Sequence, residues 1–215
     1  MILRTLFVAV SLVASIGTRA ADPRSDAPDE RIVGAIATPA PPSYDAALRS
    51  WRGAGDVNDW IGSHFAYDAP RSMLLSETQR GAARLAIHRP EDFYAEPSGV
   101  CVDLARFGVE TLLAIDPEAR PFYLMIEFAP LAIAGNVLRR HWMAGFERGG
   151  HRWFFADSKR PGHLAGPYEG TKAFVDEYAA YRHREVVAFR ELASYERATR
   201  TFATKRVRDG GAIPP

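Results

Sequence analysis

Three residues of this chain have side chains that could act together as a nucleophile, a base and an orienting acid. Cys101 is the single cysteine among 215 residues, and it lies in the stretch PSGVCVDLA, where a loop turns into a helix. At the start of a helix, unpaired N–H groups and the macrodipole favour the thiolate, which is the form that attacks acyl carbons. A nucleophilic cysteine also needs a base, and the base needs a group to orient it. His141 and Asp157 are the candidates for these two roles.

The relative position of His141 and Asp157 depends on the loop of a predicted hairpin, which has the sequence Arg-Gly-Gly at residues 148–150. If all three residues form the loop, His141 lies directly across from Asp157. Opposed residues of antiparallel strands share a face, with Cβ atoms roughly 4.5–5.5 Å apart. A two-residue loop shifts the register by one and puts the two side chains on opposite faces, unless a bulge corrects it. We predict the three-residue loop, in which the glycines supply positive φ angles.

Each of these residues also has a simpler interpretation. A free cysteine is often a small buried hydrophobic residue. His141 could be a strand histidine packed beside Trp142, and Asp157 could cap the turn that follows it. The three together, with a cysteine at a helix start and a histidine and an aspartate on adjacent strands, form a more specific pattern than any one of them. The combination therefore favours nucleophilic catalysis.

The first twenty residues have the pattern of an export signal. Arg4 precedes an apolar run at residues 6–16, and residues 18–20, Thr-Arg-Ala, offer a small-x-small cleavage site. The run is shorter than the about 20 residues that a membrane span requires. An uncleaved membrane anchor is the alternative. We expect an exported, periplasmic protein with no membrane span after signal removal, and one cysteine excludes an intramolecular disulfide.

Composition and charge exclude some classes of protein. Removal of residues 1–20 takes away two of the 27 basic side chains and none of the 26 acidic ones, which leaves 25 against 26. This balance is not that of a nucleic-acid-binding protein, which needs a clustered basic face. With 47% hydrophobic and 11% aromatic residues, the chain can bury an ordinary core.

The order of predicted elements indicates the α+β class, with helices followed by an antiparallel sheet. We expect a signal peptide at residues 1–20, a linker or loosely packed arm at 21–42, one domain at 43–204 and a frayed tail at 205–215. The periodicity predicts helices at 56–67, 76–87, 99–115 and 171–181, and strands at 121–128, 139–147, 151–157 and 185–189. Ser76 and Gln79 form a capping-box pattern that places a helix start at Ser76.

The residues around the three candidates resemble a known family. The matching positions are Gly99-x-Cys101-x-Asp103-x-Ala105, His141-Trp142 and an aromatic strand ending in Asp157. Between about residues 57 and 157 the chain looks like the transglutaminase-like superfamily, and most of all like its bacterial cysteine proteinases. The resemblance implies a papain-like core and a triad in which Cys101 is the nucleophile, His141 the base and acid, and Asp157 the orienting group.

The resemblance also implies a reaction, the cleavage of peptide or protein amides through a thioester. Transfer of the acyl group to an amine is not excluded, and a catalytically idle module that binds a peptide, a cell-wall fragment or a partner protein is the alternative. The Cys101 N–H is the natural first donor to the oxyanion. Gln79 is a possible second donor, or simply a helix-capping side chain. No cofactor is expected.

Four basic residues could form a rim that binds a substrate carboxylate, namely Arg139, Arg140, Lys159 and Arg160. A set of solvated charges at strand ends is the alternative interpretation. His151 and His163 flank Asp157 and could suggest a metal site with His141. They lack tight ligand spacing, so we predict no metal.

Overall fold

The computed structural model describes residues 25–29, 40–78, 85–133 and 136–196. The predicted signal peptide, the predicted tail and Gln79 lie outside the described residues, as does most of the predicted arm. No helix within these ranges is both long enough and apolar enough to cross a bilayer.

Helices dominate the first half of the described chain, and strands dominate the second. The helices are α1 (Tyr44–Ser50), α2 (Ala54–His64), α3 (Ala69–Thr78), α4 (Pro90–Ala95), α5 (Cys101–Ile115) and α6 (Thr171–Arg182), with a 3₁₀ turn at Pro117–Ala119. The strands are β1 (Ala66–Tyr67), β2 (Ser98–Gly99), β3 (Phe122–Ile133), β4 (Asn136–Arg148), β5 (His151–Phe155), β6 (Ala165–Tyr168) and β7 (Val186–Leu192).

The main sheet has five strands in the order β6-β5-β4-β3-β7, and every neighbouring pair is antiparallel. The short strands β1 and β2 form a separate parallel pair just before α5. The predicted α+β class, with helices followed by an antiparallel sheet, is confirmed.

The sheet is covered on both faces, and β4 contributes to both. Trp142, Ala144 and Phe146 pack in the cluster that contains α5. Met143 packs with α6 on the other face, beside Phe174. Successive residues of a strand point to opposite faces, so this alternation is what a strand buried on both sides requires. The central strand β4 therefore touches both helices.

The helix predicted at residues 76–87 is placed wrongly. Helix α3 already begins at Ala69, so Ser76 lies inside it and is not its N-cap, and residues 85–89 are not helical. Pro90, expected to stop this helix, is instead the first residue of α4. Proline suits the first helical turn, where its missing N–H would have no partner anyway.

The predicted three-residue loop of the hairpin is also wrong. Arg148 pairs directly with His151, so the loop consists of Gly149 and Gly150 alone. These glycines have φ angles of 62° and 78°. Positive φ at both central positions is the signature of a type I′ turn, whose twist matches that of the flanking strands. The register is therefore shifted by one residue from the predicted one.

Gly108 lets α5 lie close to the sheet. A Cβ atom added there would lie 2.8 Å from the Cβ of Ala156 and 3.0 Å from the Cβ of Ala144. Alanine Cβ atoms are fixed to the backbone and cannot turn away. Because α5 begins at Cys101 and Ala144 lies on the strand that carries His141, this contact sets the distance between the two elements.

We expect Gly108→Ala to lower the free energy of unfolding by about 1–2 kcal/mol. Overpacking costs about 1–3 kcal/mol, and the better helix propensity of alanine returns up to about 1 kcal/mol. Urea unfolding would measure the change. Gly55→Ala is the matched control, because nothing lies within 4 Å of a Cβ at that helical position. The control should leave stability unchanged or raise it by up to about 1 kcal/mol, and equal effects of the two substitutions would contradict the role given to Gly108.

Candidate active site

Cys101 is the first residue of α5 and is 8% exposed. The turn before it is fixed by Asp103, whose Oδ2 accepts the Val100 N–H at 3.1 Å. Asp103 is completely buried, and both of its oxygens accept hydrogen bonds from Arg71, at 2.7 and 2.8 Å. Its Oδ1 also accepts the His88 N–H at 2.9 Å. Asp103 thus ties the start of the cysteine helix to α3 and to the segment before α4.

The side chains of Cys101, His141 and Asp157 are together in one buried site. The Cys101 sulfur lies within 4.8 Å of a ring nitrogen of His141. His141 has no exposed surface, and its Nε2 donates to Asp157 Oδ1 at 2.9 Å. Nδ1, the ring nitrogen that does not contact Asp157, is buried and forms no hydrogen bond with the described residues.

Asp157 reaches His141 because of an irregularity that corrects the register. In the observed pairing, His141 would be opposite Ser158, and a regular strand would point Asp157 to the other face. The ladder ends at Phe155, however, and Ala156 has a left-handed φ of 54°. This residue interrupts the alternation of the strand and turns the next side chain toward the histidine. The two side chains therefore meet by a route that differs from the predicted one.

Asp157 is held by three further donors besides the imidazole. The Lys159 N–H donates to its Oδ1 at 2.9 Å, and Arg160 Nε donates to its Oδ2 at 3.3 Å. The Tyr178 hydroxyl donates to Oδ1 at 3.0 Å, and its oxygen lies 3.0 Å from His141 Nε2. The Tyr178 ring also stacks on the imidazole, with centroids 5.5 Å apart. The orientation of the imidazole is thus fixed on two sides.

A second carboxylate faces the other ring nitrogen. Asp26 Oδ1 lies 3.2 Å from His141 Nδ1, and it accepts a hydrogen bond from Arg182 Nη2 at 2.9 Å. Asp26 is 6% exposed, although it belongs to the arm that precedes the domain. The imidazole therefore lies between two carboxylates.

These carboxylates set the charge of the imidazole. Burial by itself lowers the pKa of His141, but the charge of Asp26 and the hydrogen bond with Asp157 outweigh it, so the pKa is well above the usual 6.5. Burial raises the pKa of Asp157, but the interaction with His141 outweighs it and brings the pKa below its usual value. Together these shifts favour a charged imidazolium between two carboxylates.

The same surroundings favour the neutral form of the Cys101 thiol. Burial raises the pKa of Cys101, and the negative charge of Asp26 raises it further. The nearby imidazole of His141 and the Trp142 N–H act against this rise without reversing it. The sequence predicted that the helix start would favour the thiolate, but with Asp26 in place the thiol pKa is raised. Asp26 is one cause of the difference.

Asp26 gives the protein a testable dependence on acid. Burial raises its pKa, but His141 and Arg182 bring the pKa down to about 2 from 3.8. Because the folded pKa is lowered, the stabilisation is present above pH 4–5 and is lost as the pH falls toward 2; it amounts to about 2 kcal/mol. We expect the difference in unfolding free energy between wild type and Asp26→Asn to shrink by about that amount between pH 5 and pH 2. A constant difference in denaturant titrations would contradict this assignment.

Among the described residues, the group that could hold a metal ion is Asp26, Cys101 and His141, whose ligand atoms all lie within 4.8 Å of one another. Thiolate, imidazole and carboxylate are ligands of Zn²⁺. The carboxylate oxygen already accepts a hydrogen bond from the cationic Arg182, which opposes the approach of another cation. His151 is not part of this group, since it lies at the hairpin turn, where its Nδ1 donates to the Gly149 carbonyl.

The four predicted rim residues have different surroundings. Lys159 is buried, and its Nζ lies 2.6 Å from Asp29 Oδ1. Arg160 binds Asp157 as described above, and its guanidinium lies over the Tyr181 ring, 4.5 Å from the centroid. Arg139 and Arg140 precede His141 on β4. Two of the four therefore contact groups in or beside the site.

The sequence reasoning missed three residues of the site, Asp26, Tyr178 and Arg182. Tyr178 and Arg182 share a face of α6, where Arg182 Nη1 donates to the Tyr178 hydroxyl at 3.2 Å. On the predicted helix, Tyr178 shares a side with Phe174, a spacing that is typical of core packing. The burial of Arg182 beside it is visible only in the structure, so the sequence offered no signal that this helix face binds a charged group.

Fold and site together define an α+β protein with a buried Cys-His-Asp arrangement. No protein-family model and no curated protein matches the chain. Solved structures of LapG from Legionella pneumophila are similar to it, one with a TM-score of 0.37 and 16% identity over 72% of this chain and 76% of the other. The calcium-bound LapG structure has a TM-score of 0.30 and 15% identity, over 68% and 81% of the two chains. An EGTA-treated LapG structure has a TM-score of 0.31 and 14% identity, over 74% of this chain and 93% of the other. These values transfer no residue role to this chain.

Proposed function

We propose that this protein is an exported, periplasmic cysteine hydrolase of the transglutaminase-like type, which cleaves peptide or protein amides through a thioester. Cys101 is the nucleophile, His141 the base and acid, and Asp157 the group that orients the imidazole. The observation that carries the proposal is the proximity of three groups: the sulfur lies within 4.8 Å of a His141 ring nitrogen, and Nε2 of the same ring donates to a carboxylate with four donors. A purely structural cysteine needs no such arrangement.

The proposed reaction starts from a neutral imidazole, with Asp26 displaced from Nδ1. His141 Nδ1 then takes the proton of the Cys101 thiol while Nε2–H remains bound to Asp157. The thiolate forms a bond to the acyl carbon, and the carbonyl electrons move to the oxygen. When this oxyanion collapses, the C–N bond breaks and Nδ1–H protonates the leaving amine. Water then gives a proton to Nδ1 and adds to the thioester carbon, and the C–S bond breaks to restore the thiolate. An amine in place of water would give transfer.

The Cys101 N–H supports the oxyanion step. It lies at the first turn of α5, where the N–H groups have no partner within the helix and the macrodipole favours negative charge. Gln79, which lies outside the described residues, stays the predicted second donor.

Covalent labelling tests the proposal. A peptide vinyl sulfone, which traps nucleophilic thiolates, should add once to the chain, and the adduct should map to Cys101 by mass spectrometry. The labelling should vanish in Cys101→Ala and should be slow in His141→Gln. Because Asp26 contacts the imidazole, both wild type and Asp26→Asn should be tested. If neither form is labelled in a His141-dependent way, the hydrolase proposal fails and the binding module remains as the alternative.

A further inference from the structure

Residues 25–29, called the inhibitory segment here, lie against the candidate active site. The Ser158 hydroxyl donates to the Asp26 carbonyl at 3.0 Å, and Lys159 Nζ donates to the carbonyl of the next residue at 3.0 Å. The Asp29 N–H donates to the Lys159 carbonyl at 3.1 Å. We propose that this segment is an intramolecular inhibitor, and that the site it fills binds peptides with two acidic residues three positions apart.

The proposal rests on the proposed function, and it adds a ligand class and a form of regulation. Both acidic side chains of the segment meet buried cations. Asp26 accepts from Arg182 at 2.9 Å, and Asp29 lies 2.6 Å from Lys159 Nζ. Asp29 also accepts from the Tyr181 hydroxyl at 2.9 Å.

The burial of these cations explains why the site selects acidic residues. The side chains of Arg182 and Lys159 have no exposed surface. Burying a charge is costly unless an opposite charge and hydrogen bonds compensate for it. A peptide with neutral side chains offers neither cation the carboxylate that it contacts here. The pattern Asp-x-x-Asp of the segment, with the sequence Ser-Asp-Ala-Pro-Asp, is therefore the recognised feature.

Asp26 also occupies the space that the reaction needs. An acyl carbon has to reach bonding distance of the Cys101 sulfur, and a carboxylate oxygen of Asp26 already lies within 4.8 Å of it. The same carboxylate faces His141 Nδ1, the nitrogen that would receive the thiol proton. Its negative charge disfavours a second negative charge on the sulfur. The segment therefore opposes both substrate approach and thiolate formation.

Alkylation of Cys101 by iodoacetamide in the full chain tests the inhibition. Asp26→Asn keeps the shape of the side chain and removes its charge. We expect the rate at pH 7 to rise by about tenfold or more, which is the gain in thiolate for one pKa unit. Asp176→Asn is the matched control, since this exposed acid on α6 pairs with Lys172 away from the site. The control should not change the rate.

Unfolding of the variant would also expose the thiol, so a second variant separates the two causes. In Asp26→Asn/His141→Gln, the gain should be lost if the folded site is responsible. A gain that persists in the double variant would come from unfolding and would overturn the inhibitory role.

Binding of a separate peptide tests the acidic-peptide site. Fluorescein-labelled Ser-Asp-Ala-Pro-Asp should bind to Asp26→Ala/Asp29→Ala, in which the segment has lost both carboxylates, and should bind more weakly to wild type. A labelled peptide with asparagine at both acidic positions should not bind. Equal binding of the two peptides, or binding of neither, overturns the proposed specificity.

The results separate this proposal from the hydrolase proposal. Fast, His141-dependent alkylation of equal rate in wild type and Asp26→Asn would overturn the inhibitory role and leave the hydrolase intact. Slow alkylation that does not depend on His141 in either form would overturn the hydrolase and the inhibition with it.

Discussion

Replacing His141 with glutamine in the Asp26→Asn background is expected to slow iodoacetamide alkylation of Cys101 at pH 7 by about 100-fold, the lower end of what a positioned base contributes. Glutamine keeps polar atoms in the site but cannot accept the thiol proton. The pH profile gives a second readout. The parent should react at nearly constant rate around neutral pH, whereas the variant should gain about tenfold per pH unit, as an unassisted buried thiol does.

His151→Gln is the control for this prediction, because His151 lies at the hairpin turn and binds a turn carbonyl. It should leave both the rate and the pH profile unchanged. Circular dichroism should confirm that the His141 variant is folded, since loss of the imidazole leaves the buried Asp157 carboxylate without this partner. Equal alkylation rates in the folded parent and in the His141 variant would remove the case for a catalytic base.

Asp103→Ala is expected to lower the free energy of unfolding by about 3–5 kcal/mol, the cost of leaving a buried charge without its partner. Arg71 would lose both of its hydrogen bonds to this carboxylate, and the Val100 N–H would lose its acceptor. Urea unfolding measures the change. The substitution should also loosen the start of α5 and so change the reactivity of Cys101.

Two comparisons sharpen the Asp103 prediction. Asp176→Ala removes an exposed ion pair and should change stability by no more than about 0.5 kcal/mol. Asp103→Asn keeps one acceptor oxygen and should fall between wild type and Asp103→Ala. An Asp103→Ala effect as small as that of Asp176→Ala would mean that the buried pair contributes little beyond its own desolvation.

Local patterns were sufficient to predict α2, α5, α6 and four strands of the main sheet, β3, β4, β5 and β7. These elements follow from periodicities of 3.6 and 2 that extend over several residues. The short elements α1, α4, β1, β2 and β6 were not predicted. The failure at α3 came from a capping-box pattern at Ser76 that the tertiary structure overrides. Caps are short signals, and a helix that starts earlier can run through them.

The contact between His141 and Asp157 was predicted correctly, but the strand register used to predict it was wrong. The loop has two residues instead of three, and the left-handed φ of Ala156 compensates for the shift. Alanine rarely adopts a positive φ, so no pattern in the sequence announces this residue. Ala156 is completely buried and packs against α5 at Gly108, a tertiary contact that local sequence patterns do not reveal.

The position of Asp26 in the site could not be predicted from the sequence, for a different reason. Its contacts with His141 and Arg182 join residues more than a hundred positions apart, and they depend on the path of the arm across the domain. A stretch rich in proline and aspartate has the composition of a linker. The contacts of Asp26 with Arg182 and of Asp29 with Lys159 distinguish this segment from a linker, and they are visible only in the structure.

Arg160 contacts both the candidate active site and a tyrosine that binds the inhibitory segment. It donates to Asp157, and its guanidinium lies over the rings of both Tyr178 and Tyr181. Tyr181 in turn binds Asp29. Arg160 therefore lies between the tyrosine that holds the segment and the carboxylate that holds the imidazole, so a change at either place alters the surroundings of the same guanidinium.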